Sequence, residues 1–397
     1  MLRRGGRTIG LVFIAAILAV GIAGDGIPSS GVAAEPSPSP TPTPRPIPPV
    51  DGLWISSADL AALPTNGRAW DELSAIVDRG LGDPVDVSDQ DSQHAPRTFA
   101  TALVAARVGG ELVGTVRDAI EDVIDTEFGD TGGHDDTNRV LAWGRNVGSY
   151  VLAADLIDLQ TVDPVLDERF RTWLRTMLTA TSVEGAADRY SLRGADATDP
   201  GNWGSWSGAS HTAIAAYLRD PAELELARSS LEHFLTTGAG FLYRDTWAIS
   251  RDEDGWSSAP DRSGPIPPVN PRGARIDGHD VDGMIVADMR RGSSRFRWPP
   301  RFTTYPREAL SGRVIQAAIL SRLGIDAFDW GDEALRRAAV RLAALEADTG
   351  DDWYEADQAP MWILRQRYPS AGLQVDGPVV GRMIEGTDWT HAETPGP

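Results

Sequence analysis

Cysteine is missing from all 397 residues, which excludes disulfides and thiol chemistry and leaves only histidine and carboxylates for any metal site. Lysine is missing too, so the 37 basic residues are all arginine. A GC-rich gene accounts for that usage, but not for the eight arginines gathered between Arg272 and Arg307. Runs that alternate apolar and polar side chains over a strand length are absent, and so is any repeat of fixed period. Positive charge is scarce overall. Against 57 acidic residues the formal net charge is −20, which argues against nucleic acid as a partner.

The N-terminus is unlike the rest. Arg3, Arg4 and Arg7 precede an uncharged stretch from Ile9 to Gly24 rich in Ile, Leu, Val and Ala, the pattern of a secretory signal. Val32 and Ala34 offer small side chains before Glu35, so residues 1–34 read as a signal peptide cleaved after Ala34 or as an uncleaved N-terminal membrane anchor. Either places the remainder outside the cytoplasm. Residues 35–50 carry proline at nearly every second position and form an extended linker. Residues 51–397 contain no further low-complexity break and read as one domain.

Within that domain apolar residues recur at three and four. Val147, Tyr150, Val151, Ala154 and Ile157 make one stripe; Leu335, Ala338, Ala339, Leu342 and Leu345 make another. Ile315, Ile319 and Leu323 make a third, with Gly324 placed to end its helix in a left-handed C-cap. Further helices are expected at about 68–79, 97–108, 112–126, 164–180, 208–218 and 221–236. Long loops over about 183–206 and 244–304 hold much of the unusual chemistry, including Trp247 and Trp256. The expectation is an all-α fold, an (α/α) toroid or incomplete helical barrel, with long loops lining a cleft.

Three constellations stand out. In residues 201–218, Asn202, Trp203 and Trp206 precede a helix. Indole faces stack on sugar rings, and an amide bonds a carboxylate without competing for protons. His211, on the helix that follows, reads as structural or supporting. In residues 277–305, His279 lies between Gly278 and Asp280 in a loop, near Arg291, Arg297 and Tyr305. Asp280 and Asp282 raise the question of a metal, but no zinc-like spacing is present and no metal is expected. In residues 141–157, Arg145 and Asn146 interrupt an apolar helix and suit a carboxylate or sugar hydroxyls if they face a cleft.

The N-W-x-x-W of Asn202, Trp203 and Trp206 resembles the asparagine motif of helical-toroid polysaccharide lyases acting on hyaluronate and chondroitin. The order Asn202, His279, arginine, Tyr305 resembles that group and the alginate lyases. The alginate lyases place histidine directly after the asparagine, where this chain has Trp203. The resemblance covers the helical domain and implies β-elimination on a uronic-acid-containing polysaccharide, alginate-like or glycosaminoglycan-like. Asn202 and an arginine, Arg291 or Arg297, would neutralise the uronate carboxylate; His279 and Tyr305 would serve as base and acid. Trp203, Trp206, Arg145, Asn146 and Arg297 would bind substrate, with no metal or organic cofactor.

Two other classes fit the same composition. A toroid glycoside hydrolase would use paired carboxylates drawn from Asp277, Asp280, Asp282, Asp288 and Glu308. A non-catalytic cell-envelope glycan-binding protein would keep the tryptophans on a tether. In the lyase reading the expected partner is an acidic polysaccharide.

Overall fold

The computed structural model describes residues 47–82, 85–126, 138–183, 188–242, 255–259, 265–356, 358–377 and 381–392. The signal or anchor segment, the linker up to residue 46, and Trp247 lie outside the described residues. Among the described residues no helix is long and apolar enough to cross a membrane.

The fold is all-α. The chain opens with α1 (Ser57–Ala62), α2 (Arg68–Asp78), α3 (His94–Val108), α4 (Leu112–Asp125) and α5 (Arg139–Leu156). There follow α6 (Leu159–Val162), α7 (Pro164–Thr179), α8 (Leu192–Thr198), α9 (Asn202–Leu218) and α10 (Pro221–Leu235). The last third holds α11 (Val286–Gly292), α12 (Tyr305–Arg322), α13 (Trp330–Thr349), α14 (Ala359–Arg367) and α15 (Thr387–Thr390). Among the described residues extended pairing is limited to a hairpin of β1 (Arg275–Ile276) and β2 (His279–Asp280), with Ile276 opposite His279, and an isolated bridge between Val269 and Ile285.

Local sequence explains several helix ends. Asp163 and Asp220 cap α7 and α10 through side-chain oxygens, each followed by proline at the first helical position. Gly324 takes φ +79° just beyond α12, and Ile325 N–H returns to Leu320 O, as the expected left-handed stop requires. The expected loop over 183–206 instead contains α8 and the start of α9, and the expected loop over 244–304 contains the hairpin and α11.

Helix α9 is central. It packs between α5 and α12; α5 packs on α3, α3 on α2, α12 on α14, α14 on α15, and α15 on α2. Neighbour relations thus return to the starting helix. A second set lies beside the first, with α4 against α3 and α7, and α10 against α9 and α13. Missing side chains let the central three approach closely. A Cβ on Gly144 of α5 would lie 2.7 Å from Ser207 N, and one on Gly312 of α12 would lie 2.5 Å from Ser205 C. Helix α5 is enclosed on every face from Val140 to Ala154, which is why its hydrophobic stripe is accompanied by buried polar groups.

Candidate active site

The α9–α12 contact places the first turns of both helices side by side. Asn202 is the first residue of α9 and Tyr305 the first of α12. Asn202 therefore belongs to the helix itself rather than to a loop before it. Its side chain is only 3% exposed, yet its Nδ2 has no hydrogen-bond partner. A buried amide left open in this way is costly unless something else pairs with it.

Two carboxylates occupy the backbone donors at this helix end. Asp199 Oδ1 accepts the Gly201 N–H at 2.7 Å and Asp199 also accepts that of Gly204, while Asp288 accepts the N–H of Asn202. The two acids flank Gly201, whose Cβ, were there one, would meet Asp199 Oδ1 and Asp288 Oδ1 at 3.2 Å each. Burial pushes the Asp288 carboxyl well above the usual carboxylate range, and the neighbouring Asp199 pushes it further. Burial raises Asp199 too, although its backbone donors oppose the shift. Asp288 Oδ2 is buried and, like Asn202 Nδ2, has no partner.

Arg291 follows Asp288 by three residues on α11, and its guanidinium lies 4.0 Å from the centroid of the Tyr305 ring. Its charge opposes the upward shifts of both Asp199 and Asp288. Asp288 thus accepts from the Asn202 backbone and feels the charge of Arg291, which in turn lies over the Tyr305 ring.

One turn into α12, Glu308 gathers a second group. Its Oε2 accepts from Arg145 at 2.8 Å and from the Trp206 indole at 3.1 Å; its Oε1 accepts from Arg382 at 3.3 Å. Arg382 also reaches Asp91 at 2.9 Å. Burial pulls the Arg145 guanidinium below its ordinary range, and Glu308 works against that. Trp206 is 2% exposed, so its faces are enclosed by protein; the half-buried Trp203 packs against the core. Asn146 is likewise internal, donating to Val87 O at 3.2 Å and Asp89 O at 2.8 Å.

His279 is placed differently. It stacks on Trp298 with ring centroids 4.8 Å apart and planes 11° from parallel, and Phe296 lies at 6.1 Å. Among the described residues no hydrogen bond, ion pair or ring contact joins it to Asn202 or Tyr305. Its neighbours Asp280 and Asp282 are engaged by Arg341 and Arg337, each at 2.5 Å. Arg297 is exposed on the same loop as Trp298. His211 lies wholly inside, one ring nitrogen 3.0 Å from Asp196 and the other 3.0 Å from Glu223.

Residues 123–239 match the family model described as alginate lyase. On that segment the chain is alginate-lyase-like. No curated protein matches the chain. The alginate-lyase-like segment contains α5 and α9, and with them Arg145, Asn146, Asn202, Trp203 and Trp206. It supports assignment as a polysaccharide lyase. Arg291 and Tyr305 lie beyond it and reach the same site through the packing of α11 and α12 on each other and of α12 on α9.

Asp199 and Arg382 were not among the sequence candidates, and Asp288 appeared only in a pool of acids. Asp199 had a signal. A carboxylate three residues before an asparagine that opens a helix is placed to take that helix's free N–H groups. Arg382 had none, since its role depends on the closing of residues 381–392 against α12.

Proposed function

We propose that the protein is a polysaccharide lyase that cleaves a uronic-acid-containing polysaccharide by β-elimination. The observation that carries this is the open Asn202 amide at the first turn of α9, linked through Asp288 to Arg291 of α11, which covers the ring of Tyr305 at the first turn of α12. Eliminating across C4 and C5 requires taking a weakly acidic proton from beside a carboxylate, so that carboxylate must first be neutralised. Asn202, with an unpaired amide, and Arg291, with its guanidinium, suit that task. The half-buried Tyr305 takes the C5 proton as tyrosinate and returns it to O4 as the C4–O4 bond breaks and the C4–C5 double bond forms. Arg291 keeps positive charge beside the phenol through both transfers. No metal is required by these steps.

The enclosed Trp206 and Arg145 act in this scheme by fixing α5, α9 and α12 together through Glu308, and Asn146 by tying α5 to residues 87–89. His279, stacked on Trp298 beside exposed Arg297, offers a wall for neighbouring sugars rather than a proton to the reacting one. Cyclic helix neighbours support a toroid, and the N-terminal sequence pattern supports export with residues 1–34 as a signal or anchor.

The test is a screen of acidic polysaccharides, alginates first, for the ultraviolet absorbance of the unsaturated product. New reducing ends without that absorbance would establish a hydrolase. Binding without either product would leave a glycan-binding protein.

A further inference from the structure

Residues 293–304 join α11 to α12 and lead directly into Tyr305. Their sequence, SSRFRWPPRFTT, holds three arginines and no acid, in a chain whose formal charge is −20. From Arg295 to Phe302 exposed and covered residues alternate. Arg295, Arg297, Pro299 and Arg301 are exposed, while Phe296, Trp298 and Phe302 are half-buried and Pro300 is buried.

The covered side chains pin the segment down. Phe296 meets Trp256 edge-on with ring centroids 5.1 Å apart, Trp298 stacks on His279, and Phe302 meets Trp353 edge-on at 5.3 Å. The Trp256 indole donates to Ser293 O at 2.7 Å. Backbone also presses close to it at two glycines: a Cβ on Gly255 would lie 2.5 Å from Phe296 N, and one on Gly292 would lie 2.2 Å from Arg301 O. A ligand that binds the arginines therefore has little backbone left to order.

Elsewhere the surface arginines of this acidic chain are taken up by acids. Arg68 pairs with Glu72, Arg169 with Glu121 and Asp125, and Arg336 with Glu333. Arg295, Arg297 and Arg301 make no ion pair or side-chain hydrogen bond among the described residues. On the neighbouring hairpin Asp280 and Asp282 are held by Arg341 and Arg337, and Asp277 stands at the turn two residues from Arg275. Positive charge left uncompensated on a strongly negative protein attracts an anionic polymer at a distance. The rings between the arginines pack against the core, so they are not offered for insertion into a bilayer. The net charge of −20 disfavours nucleic acid.

We infer that Arg295, Arg297 and Arg301 form a docking surface for an acidic polysaccharide, holding carboxylates of sugars that lie beyond the reacting one. Arg301 is four residues before Tyr305, so this ladder of arginines leads to the first turn of α12. The inference rests on the lyase reading for its choice of polymer and adds a capture surface outside the reacting groups.

The experiment measures binding of long-chain alginate and hyaluronate to the full chain carrying Tyr305→Phe, at low and at high salt. The measurement is repeated with Arg295→Gln, Arg297→Gln and Arg301→Gln added together. A control adds Arg68→Gln, Arg169→Gln and Arg336→Gln instead, which removes equal charge from ion pairs elsewhere. The ladder variant should bind about tenfold more weakly at low salt, and the difference should shrink at high salt as the charges are screened. The control should bind as its parent does. Equal losses in the two variants, no loss in the ladder variant, or a loss that salt leaves unchanged overturns the inference. So does ladder-dependent binding of dextran, which is uncharged, or of anionic phospholipid vesicles as tightly as the polymer, which would assign the surface to a membrane. If the triple variant does not fold, Arg297→Gln alone decides, with a loss of about twofold expected for one charge of the three. Should the ladder bind alginate while no acidic glycan gives unsaturated product, the lyase reading fails and the docking surface stands. Unsaturated product from a chain whose polymer binding ignores the ladder sinks the docking surface alone, and binding of neither polymer sinks it as well.

Discussion

Helices α9 and α12 carry two polar clusters along one interface, and the clusters differ in what their atoms face. Deep between the helices, His211 uses both ring nitrogens, Arg313 holds Asp196 at 2.7 Å, and Gln316 donates to Thr212 Oγ1 at 3.1 Å and Ala227 O at 3.0 Å. Burial works against the Asp196 carboxylate, yet His211 and Arg313 hold it below the usual carboxylate range. At the first turns, Asn202 Nδ2 and Asp288 Oδ2 are as buried but open; Arg313 Nε and Nη2 in the deep cluster also lack hydrogen-bond partners, but that guanidinium lies over the Phe234 and Phe241 rings. His211, which the sequence reads as structural or supporting, has both ring nitrogens engaged by acids. The open atoms beside half-buried Tyr305 mark where a ligand can still add hydrogen bonds.

The sharpest way to break this contrast is Tyr305→Phe, which removes a phenolic oxygen and keeps the ring under Arg291. Turnover on an active acidic glycan should fall ~10²–10⁴-fold with affinity little changed. Single-turnover rates and a binding isotherm separate the two, and an enzyme with full turnover would remove Tyr305 from the mechanism.

Asp196→Ala attacks the other cluster, leaving Arg313 buried without its acid. A loss of about 3–5 kcal/mol of stability is expected, read from urea unfolding. A loss near zero would mean the network is not what holds α9 to α12. Asn202→Ala should lower kcat/KM by an amount equivalent to ~2.7–4 kcal/mol, the usual effect of deleting one donor to a developing oxyanion. Unchanged kinetics in that variant would show that the open amide serves no substrate.

A smaller effect tests whether an orphan atom alone makes a site. Glu385 Oε2 is also buried without a partner, and burial pushes this carboxyl from 4.5 up to about 8. Because the folded state keeps a proton the unfolded chain has released, stability is full below pH 4.5 and is lost as pH rises to about 8. Glu385→Gln should flatten that profile, gaining at most a few kcal/mol above the upper pKa, with turnover unaltered. Thermal unfolding across pH checks it; a large loss of turnover would mean that isolation from Tyr305 and Arg291 does not separate scaffold from site.

Much of the fold was legible because apolar spacing survives in α2, α4, α7, α10 and α13, whose outer faces are polar. What stayed hidden had weak local signals. Helix α8, LRGADAT, and α11, VADMRRG, are short and interrupted by glycine or charge, and packing rather than propensity holds them. The start of α9, NWGSW, is poor in helix formers because small residues are what its close neighbours allow. Asn202 and Tyr305 were legible as residue types in a recurring order. Their meeting with Asp199 and Asp288 was not, since acids are too common in this chain for any one to stand out.

The contact between α9 and α12 also sets an order in time. Trp206 and Glu308 are 102 residues apart, and Asp196 and Arg313 are 117 apart. Closing loops of that length belongs to the late, slow part of folding. A nascent chain that has made α9 has Asn202 and Asp199 but not Asp288, Arg291 or Tyr305. Activity should therefore appear only with the last tertiary contacts, which would make the enzyme a clock for the completion of its own refolding.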